Sequence, residues 1–281
     1  MKKNNLQNPL VSIIMSTRND ALYIREAISS VRLQTFKKWE LIIINDASTD
    51  NTDMIIKEYM KVDSRIRYFR NKNRLGTTLN ANKGIDIARG EFIARLDGDD
   101  YWTNNEKLHQ QIDYLKNNPS CGVVGCFAIA VDSSGNKLFE LKYPSKDSFI
   151  RKIILKHSPF VHSGVLTRKD ILMKIGKYNA SHTFSQDYDL YLNLGTVSKL
   201  HNIPKFMVNY RINPLGVSRT KYLKQHQEIV KIIKKYRKYY PEFLSGLLLW
   251  NLRKIYPVWF RGSLSRQIKE SIPVLSKISG I

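Results

Sequence analysis

Cysteine and long apolar runs are both scarce in this sequence. Its 281 residues include two cysteines, Cys121 and Cys126, which lie five positions apart in one apolar stretch. If that stretch is a β-strand, the two side chains point to opposite faces and cannot pair within it, so we expect reduced core residues. The longest apolar stretch near the end, residues 244–250, is much shorter than the ~20 residues that cross a bilayer. Residues 1–8 are polar and do not resemble a signal peptide, and we therefore expect a cytoplasmic protein.

Acidic residues are also few, since the chain has 24 Asp and Glu against 46 Lys and Arg, a formal net charge of +22. A strongly basic protein favours anionic partners, which include nucleic acid, phosphate-bearing substrates and acidic membrane surfaces. Residues 219–281 hold 14 Lys and Arg against 3 Glu, which is half of the total excess. The basic character therefore belongs mainly to this last segment.

Short apolar runs and amphipathic segments alternate through the first hundred residues. The runs at 10–15, 39–44, 66–69 and 92–96 predict strands, and the segments at 21–33, 52–61 and 77–88 predict helices. Asp20 is a candidate cap of the first helix. This alternation is typical of a doubly wound α/β sheet with right-handed crossovers. A less regular α+β half should hold the acceptor, with a helix at 105–116, strands at 123–131, 138–141 and 160–166, a helix opening at 184–190 and a last strand closing at 210–213.

The run at 92–96 leads directly into three carboxylates, Asp97, Asp99 and Asp100, which surround one glycine. Like charges this close repel each other unless a cation neutralises them, and hard ions such as Mg²⁺ bind one or two carboxylates together with substrate phosphates. Gly98 allows the backbone to turn tightly between the acids. The pattern favours a divalent cation, Mn²⁺ or Mg²⁺, with a nucleotide diphosphate. The alternative is an acidic turn, with Asp100 among its residues, that caps the helix starting near 104.

Three chemically distinctive loops follow strands of the predicted sheet, at residues 16–19, 45–48 and 97–100. Ligands of such sheets bind at the carboxyl ends of the strands, so these loops should meet at one edge. The first loop lacks the G-x-G-x-x-G pattern that places a pyrophosphate at a helix N-terminus, which argues against an ordinary dinucleotide fold. We expect the acids and a metal ion to bind the phosphates instead.

Several short motifs occur in a fixed order between Pro9 and Ser218. They are Val11-Ser12-Ile13-Ile14, Thr17-Arg18-Asn19, Asn45-Asp46-Ala47-Ser48-Thr49-Asp50, Asn73-Arg74-Leu75-Gly76, Asn82-Lys83-Gly84, Gly90-Glu91-Phe92-Ile93, Leu96-Asp97-Gly98-Asp99-Asp100 and Gln186-Asp187-Tyr188-Asp189-Leu190. This ordered set resembles glycosyltransferase family 2. The resemblance implies an inverting enzyme with a GT-A fold, Rossmann-like with a mixed central sheet. Its donor would be a nucleotide-diphosphate sugar, most simply a UDP-sugar, and its acceptor a hydroxyl group in glycan, polysaccharide or glycolipid synthesis.

The resemblance also implies roles for single residues on the donor side. Nucleotide-sugar binding falls to Thr17, Asn19, Asp46, Arg74, Asp97 and Gly98, and the metal to Asp99 and Asp97. Asp46 would accept a hydrogen bond from a uracil-type base, or alternatively would cap the next helix. Asn19 alternatively shapes the turn. Arg74 would reach the phosphates, or alternatively would be a solvated surface residue.

The family's catalytic base lies in a pair of acids at a helix start, and Asp187 occupies the second position of that pair. In this chain Gln186 replaces the first acid, so the resemblance implies Asp187 as the base and Gln186 as an acceptor contact. Asp189 points about 200° away from Asp187 on a helix, and we expect it to be structural. His162 stands where the family often has a histidine near the acceptor, and the alternative is a structural histidine.

Three parts are predicted along the chain: a flexible N-terminus at 1–8, a GT-A catalytic domain at 9–218 with a donor half at 9–102 and an acceptor half at 103–218, and a basic helical tail at 219–281. Apolar residues between 243 and 260 recur at helical spacing beside basic ones. This pattern predicts an interfacial helix, interrupted before Pro257, that holds the enzyme on an anionic membrane near a sugar or lipid-linked acceptor. The alternative is a pair of helices packed on the catalytic domain or forming a dimer contact.

Two other classes remain as alternatives. The first is a catalytically inactive module that binds an anionic membrane or nucleic acid through its tail, but the retained acids Asp46, Asp97, Asp99 and Asp187 argue against it and make nucleic acid a disfavoured partner. The second is a nucleotidyltransferase, which usually has a basic glycine-rich loop after its first strand. Residues 16–19 are not such a loop. The sequence leaves the oligomeric state open.

Overall fold

The computed structural model describes residues 9–212 and 221–255. Its strands are β1 (Val11–Thr17), β2 (Trp39–Asn45), β3 (Ile66–Arg70), β4 (Phe92–Arg95), β5 (Tyr101–Trp102), β6 (Cys121–Val131), β7 (Lys137–Leu141), β8 (Leu166–Arg168) and β9 (Lys199–Arg211). Its helices are α1 (Ile24–Arg32), α2 (Thr52–Val62), α3 (Thr77–Ile87), α4 (Lys107–Asn117), α5 (Asp147–Ile153), α6 (Lys169–Lys174), α7 (Gln186–Val197), α8 (Tyr222–Lys235) and α9 (Phe243–Ile255).

One mixed sheet contains these strands in the order β3-β2-β1-β4-β8-β6-β9-β5, and β7 pairs with the second half of β6. β1 pairs in parallel with both β2 and β4, which confirms the α/β arrangement of the first half. β8 runs antiparallel to both β4 and β6, so the sheet is mixed, as expected for the fold class. The loops that follow β1, β2 and β4 consequently lie at the same edge.

Helices cover both faces of the sheet, which explains why the strands are almost continuously apolar. The first core layer packs the sheet against α1, α2 and α4, and the second packs it against α3, α5, α7 and α8. β2 is buried along its whole length. Cys121 and Cys126 are buried and free, as predicted.

The strand predicted at 160–166 is wrong. A single 3-10 turn occupies His162–Gly164, and β8 begins only at Leu166. The carbonyl groups of this turn are bound by buried side chains: Trp102 Nε1 donates to Ser163 O, and Gln111 Nε2 donates to Gly164 O, both at 2.8 Å. These side-chain hydrogen bonds take the place of the strand-to-strand hydrogen bonds that the apolar run at 160–166 predicts.

The described part of the basic tail is helical, as predicted, and it packs on the catalytic domain. α8 buries Ile229, Ile232 and Ile233 in the second core layer. Trp250 of α9 packs on the same layer, and its Nε1 donates to Leu155 O at 3.1 Å. Within the described ranges, no helix is both long and apolar enough to cross a membrane. The predicted break before Pro257 lies outside the described residues.

Candidate active site

The first two loops at the carboxyl edge are bonded to each other. Asp46 N donates to Thr17 O at 2.9 Å, and Asn19 N donates to the Ser48 hydroxyl at 3.0 Å. Asn19 has a φ of 58°, a left-handed conformation in which Asn is enriched, and its Oδ1 accepts from Thr49 N at 2.8 Å. Asn19 therefore shapes the turn that carries Thr17, and its contact with a nucleotide stays a prediction.

Asp46 is buried just after β2. Its Oδ1 accepts from Leu75 N at 2.8 Å and from Asn71 Nδ2 at 3.0 Å, and its Oδ2 accepts from Gly76 N at 2.9 Å. Burial raises the pKa of the Asp46 carboxyl, but hydrogen bonds bring it below its ordinary value, so the group is ionised. Asp46 fixes the loop before α3 and does not cap α2, and Oδ2 retains a position for another donor. Arg74, in the same loop, is exposed.

Gly98 packs tightly against the first loop. A Cβ atom at this position would lie 2.5 Å from Asp20 Oδ2 and 2.8 Å from Thr17 Oγ1, so a larger residue would displace the acid loop, residues 97–100. Asp20 Oδ2 accepts from Thr17 Oγ1 at 2.7 Å and from Arg18 N at 3.1 Å. Its prediction as a helix cap is therefore wrong, and α1 begins at Ile24.

The carboxylates around Gly98 are crowded. Burial raises the pKa of Asp99 to about 7, and the charges of Asp20 and Asp97 add to the shift, while the charge of Arg211 offsets only a small part. Burial also raises the pKa of Asp20 to about 6, against the hydrogen bonds that it accepts. Proton uptake at these groups relieves the same repulsion that a bound cation would relieve.

The chemistry of this donor set fits a divalent cation shared with a diphosphate. In the described part of the chain, no group of three or more His, Cys, Asp or Glu side chains could hold a metal ion by itself. Mg²⁺ and similar ions commonly take one or two carboxylates from a protein and their other ligands from phosphates and water. Asp99, whose ionisation is disfavoured by burial and by the charges of Asp20 and Asp97, is a group that a cation would stabilise.

Asp97 differs from Asp99 because both of its oxygens are engaged. Arg95 Nη2 donates to Oδ1 at 3.1 Å, and His162 Nδ1 lies 3.4 Å from Oδ2. His162 Nε2 also lies 2.8 Å from the Tyr178 hydroxyl. Burial raises the pKa of Asp97, but the charges and hydrogen bonds of His162 and Arg95 bring it down to about 2. Asp97 is therefore an oriented, ionised carboxylate, and His162 has structural partners on both ring nitrogens.

Asp100 links the acid loop to the strands behind it. Its Oδ1 accepts from Arg211 N at 2.8 Å, and its Oδ2 accepts from the Ser163 hydroxyl. The Arg211 guanidinium donates from Nε to Asp99 O at 3.0 Å, so it supports the same loop from β9. The alternative that the acids cap the next helix is wrong, because α4 begins at Lys107 and has no side-chain cap.

Asp187 lies in the first turn of α7 and is partly exposed. Its carboxylate forms no hydrogen bond or ion pair with any residue of 9–212 or 221–255. Burial raises the pKa of Tyr210, and the charges of the acid loop and of Asp187 act on it as well. Tyr210 therefore lies within electrostatic reach of Asp187 and of the carboxylates that follow β4.

The residues on either side of Asp187 have different surroundings. Gln186 has a buried Oε1 with no hydrogen-bond partner among the described residues. Asp189 is buried, and its Oδ1 lies 3.0 Å from Lys235 Nζ of α8 and 3.6 Å from His182 Nε2. The ion pair with Lys235 gives Asp189 the structural role that was predicted from helix geometry.

Sequence reasoning missed three residues that build the site: Asp20, Arg95 and Arg211. Arg95 could have been found from the sequence, because it ends an apolar strand, and a charged residue is rarely buried there without a functional or structural partner. Arg211 stands at the end of β9 among aromatic residues, and only the fold brings it to the acid loop. Asp20 was explained as a helix cap, so its contacts with Thr17 and with the loop at Gly98 were not predicted.

Comparison with known proteins gives one consistent family. The model of Glycosyl transferase family 2 matches residues 12–176. An uncharacterized glycosyltransferase of Methanocaldococcus jannaschii is 32% identical over 252 residues, which cover 88% of this chain and 86% of that protein.

Solved structures resemble the chain in fold. Staphylococcus aureus TarS, residues 1–349, in complex with UDP-GlcNAc has a TM-score of 0.69 at 18% identity, covering 92% of this chain and 77% of that one. The mannosyltransferase PcManGT of Pyrobaculum calidifontis, in complex with GDP-Man and Mn²⁺, has a TM-score of 0.67 at 16% identity, covering 97% and 81%. At such identities the likeness shows the fold alone.

Proposed function

Since the chain belongs to glycosyl transferase family 2, we propose that this glycosyltransferase is inverting and metal-dependent, and that it moves a sugar from a UDP-sugar to a hydroxyl group in glycan, polysaccharide or glycolipid synthesis. The observation that carries the proposal is that two different carboxylate sites, the acid loop and Asp187, lie within electrostatic reach of Tyr210. The acid loop is crowded and suits a cation with a diphosphate, whereas the Asp187 carboxylate forms no hydrogen bond with another described residue and suits a base. An inverting transfer needs both.

In the proposed reaction, Asp187 takes the proton of the acceptor hydroxyl as its oxygen attacks the anomeric carbon. The bond between that carbon and the diphosphate oxygen breaks, and attack from the opposite face inverts the configuration. No covalent intermediate with the enzyme forms. A divalent cation, Mn²⁺ or Mg²⁺, held by Asp99 with Asp97 nearby, would supply charge stabilisation for the diphosphate.

On the donor side, we propose that Asp46 accepts from the N–H of a uracil base through the position that Oδ2 retains. Thr17 and Asn19 would border the nucleotide, because their loop is bonded to the loop of Asp46. Gly98 would allow the diphosphate to approach the backbone, and the exposed Arg74 would contact a phosphate. TarS in complex with UDP-GlcNAc supports a nucleotide-sugar donor.

On the acceptor side, we propose that Gln186 accepts a hydrogen bond from an acceptor hydroxyl, because its Oε1 is buried and has no partner in residues 9–212 and 221–255. His162 would help to bind the acceptor, because it lies between Asp97 and Tyr178, where the donor and acceptor halves meet. The acceptor class is a sugar or a lipid-linked sugar.

A panel of nucleotide sugars tests the proposed reaction. The enzyme is incubated with UDP-, GDP- and TDP-sugars, simple glycoside acceptors and Mn²⁺, and release of the nucleoside diphosphate is measured. We expect release from a UDP-sugar, an inverted anomeric configuration in the product, and loss of release in excess chelator. A retained configuration would contradict the role of Asp187, and a rate that chelator does not change would contradict the metal.

For the tail we propose contact with an anionic membrane on the cytoplasmic side of the cell membrane, where a lipid-linked acceptor would be presented. Three leucines of α9 stay exposed while its other face packs on the catalytic domain: Leu244 (77% exposed), Leu248 (61%) and Leu252 (46%). Their spacing of four positions places them in one stripe. The neighbouring α8 carries exposed Lys224, Lys231 and Lys234, so apolar and basic groups occur together as an anionic lipid surface requires.

Vesicle sedimentation tests this contact. Replacing Leu244, Leu248 and Leu252 by Ser should abolish binding to vesicles that contain anionic lipid, and added salt should weaken binding of the parent. Replacing the exposed Leu138 and Phe139 of β7 by Ser is the matched control and should leave binding unchanged. Point changes are preferable to deleting 219–281, because α8 contributes buried isoleucines to the core. A leucine variant that still binds vesicles but dissociates from dimer to monomer would make α9 a dimer contact instead.

A further inference from the structure

Arg95 ends β4 with its side chain on the second face of the sheet. Side chains alternate along a strand, so Phe92 and Ala94 pack in the first core layer, and Ile93 packs in the second, which Arg95 shares. The residue is only 2% exposed. Removing a guanidinium from water is costly unless its N–H groups are paired, so this position needs an explanation.

The Arg95 guanidinium is only partly paired. Its Nη2 donates to Asp97 Oδ1 at 3.1 Å, whereas Nε and Nη1 are buried without a partner in the part of the chain that the structure describes. Two groups of α7, the Tyr191 hydroxyl and Gln186 Oε1, are likewise buried without a hydrogen-bond partner among the described residues. Unpaired buried polar groups weaken a fold, so several of them beside a site indicate a role that outweighs the loss.

The same interior region contains the proposed base. Burial chiefly raises the pKa of Tyr178 and of Tyr191, and the charges of both Arg95 and Asp187 act on each hydroxyl. Asp187 and Tyr191 are four positions apart on α7 and therefore lie on one face of the helix. Arg95 therefore contacts Asp97 directly, and it lies within electrostatic reach of the same two tyrosine hydroxyls as Asp187.

We propose that Arg95 is a positioning residue of the transfer reaction, a single buried cation that orients Asp97 on the donor side and Asp187 on the acceptor side. The inference rests on the proposed function of Asp187. Arg95 transfers no proton and contacts no reacting atom. Its charge attracts both carboxylates toward the centre of the site, and this attraction offsets the cost of its unpaired N–H groups.

A double-mutant cycle tests the link to Asp187. Arg95→Gln removes the charge and keeps much of the side-chain volume, and we expect it to lower kcat about 10-fold to 100-fold in the parent enzyme. In the Asp187→Asn background the same change should lower kcat less than about 2-fold, because the group through which Arg95 acts is already lost. Equal factors in the two backgrounds would overturn the proposal.

A second cycle tests the link to Asp97 without using turnover. Binding of UDP in the presence of Mn²⁺ is measured by calorimetry. Arg95→Gln should weaken binding about 5-fold in the parent and have little further effect in Asp97→Asn. Unchanged UDP affinity in Arg95→Gln would remove Asp97 from the proposal.

The matched control is Arg65→Gln. Arg65 donates from Nε and Nη2 to the Asp63 carboxylate at 2.9 and 2.8 Å, and it precedes β3, at the edge of the sheet opposite the site. It should keep the parent kcat and UDP affinity. If Arg95→Gln is unfolded at the assay temperature, both cycles are run with Arg95→Met, which also removes the charge and keeps the length of the side chain, and the same outcomes decide. Full activity of Asp187→Asn would refute the proposed base, whereas an inactive Asp187→Asn with additive Arg95 effects would refute only this inference.

Discussion

Asp187→Asn is expected to lower kcat roughly 10²-fold to 10⁴-fold while leaving donor affinity nearly unchanged. The substitution keeps the shape of the side chain and removes its ability to accept a proton. The carboxylate forms no bond within the described residues, so its loss disrupts no packing or ion pair, and the melting temperature should change little. Rates are measured at saturating UDP-sugar, and donor affinity is measured separately by calorimetry with UDP.

Asp189→Asn is the matched control, because it removes a carboxylate two positions away on the same helix. Asp189 pairs with Lys235 and is buried, so this variant should lose stability and yet retain kcat within a few-fold where it is folded. The opposite result, a variant at 187 that binds UDP poorly but turns over normally at saturation, would assign Asp187 to binding. The acceptor proton would then need another base.

The sequence predicts the parallel half of the fold well because its strands and helices alternate regularly and each can be recognised from its own residues. β1 and β2 are buried on both faces, and such strands read as continuous apolar runs. Once the alternation of strands and helices is recognised, sheet topology alone brings Asp46 and Asp99 to one edge. The shared location of both residues at the edge where β1 ends therefore followed from a rule that needs no side-chain detail.

The second half was harder to predict because tertiary contacts decide its local structure. Residues 160–166 are apolar enough for a strand, but the side chains of Trp102 and Gln111 bind the carbonyls of a turn there. The short helices α5 and α6 and the two-residue β5 were not predicted either, since elements of two to seven residues carry little periodicity.

The electrostatics of the site could be predicted only in part. Crowding of acids around Gly98 was visible in the sequence. The sequence could not show that Asp97 pairs with Arg95 and His162, whereas Asp99 has no ion pair with a residue that the structure describes. That difference arises because Arg95 and His162 reach Asp97 from β4 and from the turn before β8. A motif gives residue types in order, whereas the charge state of each acid depends on neighbours that are distant in the chain.

Asp99→Asn should abolish metal-dependent transfer and at the same time raise stability at neutral pH. The variant removes the carboxylate that we propose as the metal ligand, so Mn²⁺ binding measured by electron paramagnetic resonance with UDP present should be lost. Activity should fall to the level of the parent enzyme in excess chelator. Full activity of the variant, or of the parent in chelator, would rule out the metal role.

The stability gain follows from the direction of the pKa shift. Burial and the charges of Asp20 and Asp97 raise the folded-state pKa of Asp99 to about 7, above its ordinary 3.8, so the folded chain holds a proton that the unfolded chain releases. Ionisation of Asp99 therefore costs stability as pH rises from about 4 to 7, and a neutral Asn avoids that cost. Melting temperatures of parent and variant should converge near pH 4 and separate toward pH 7.5, with the variant higher. Asp50→Asn is the control, because hydrogen bonds lower the pKa of Asp50 and its loss should reduce stability at neutral pH. An Asp99→Asn variant that melts below the parent at pH 7.5 would show that the carboxylate is stabilised within the fold, and the strained acid loop would no longer support a cation site.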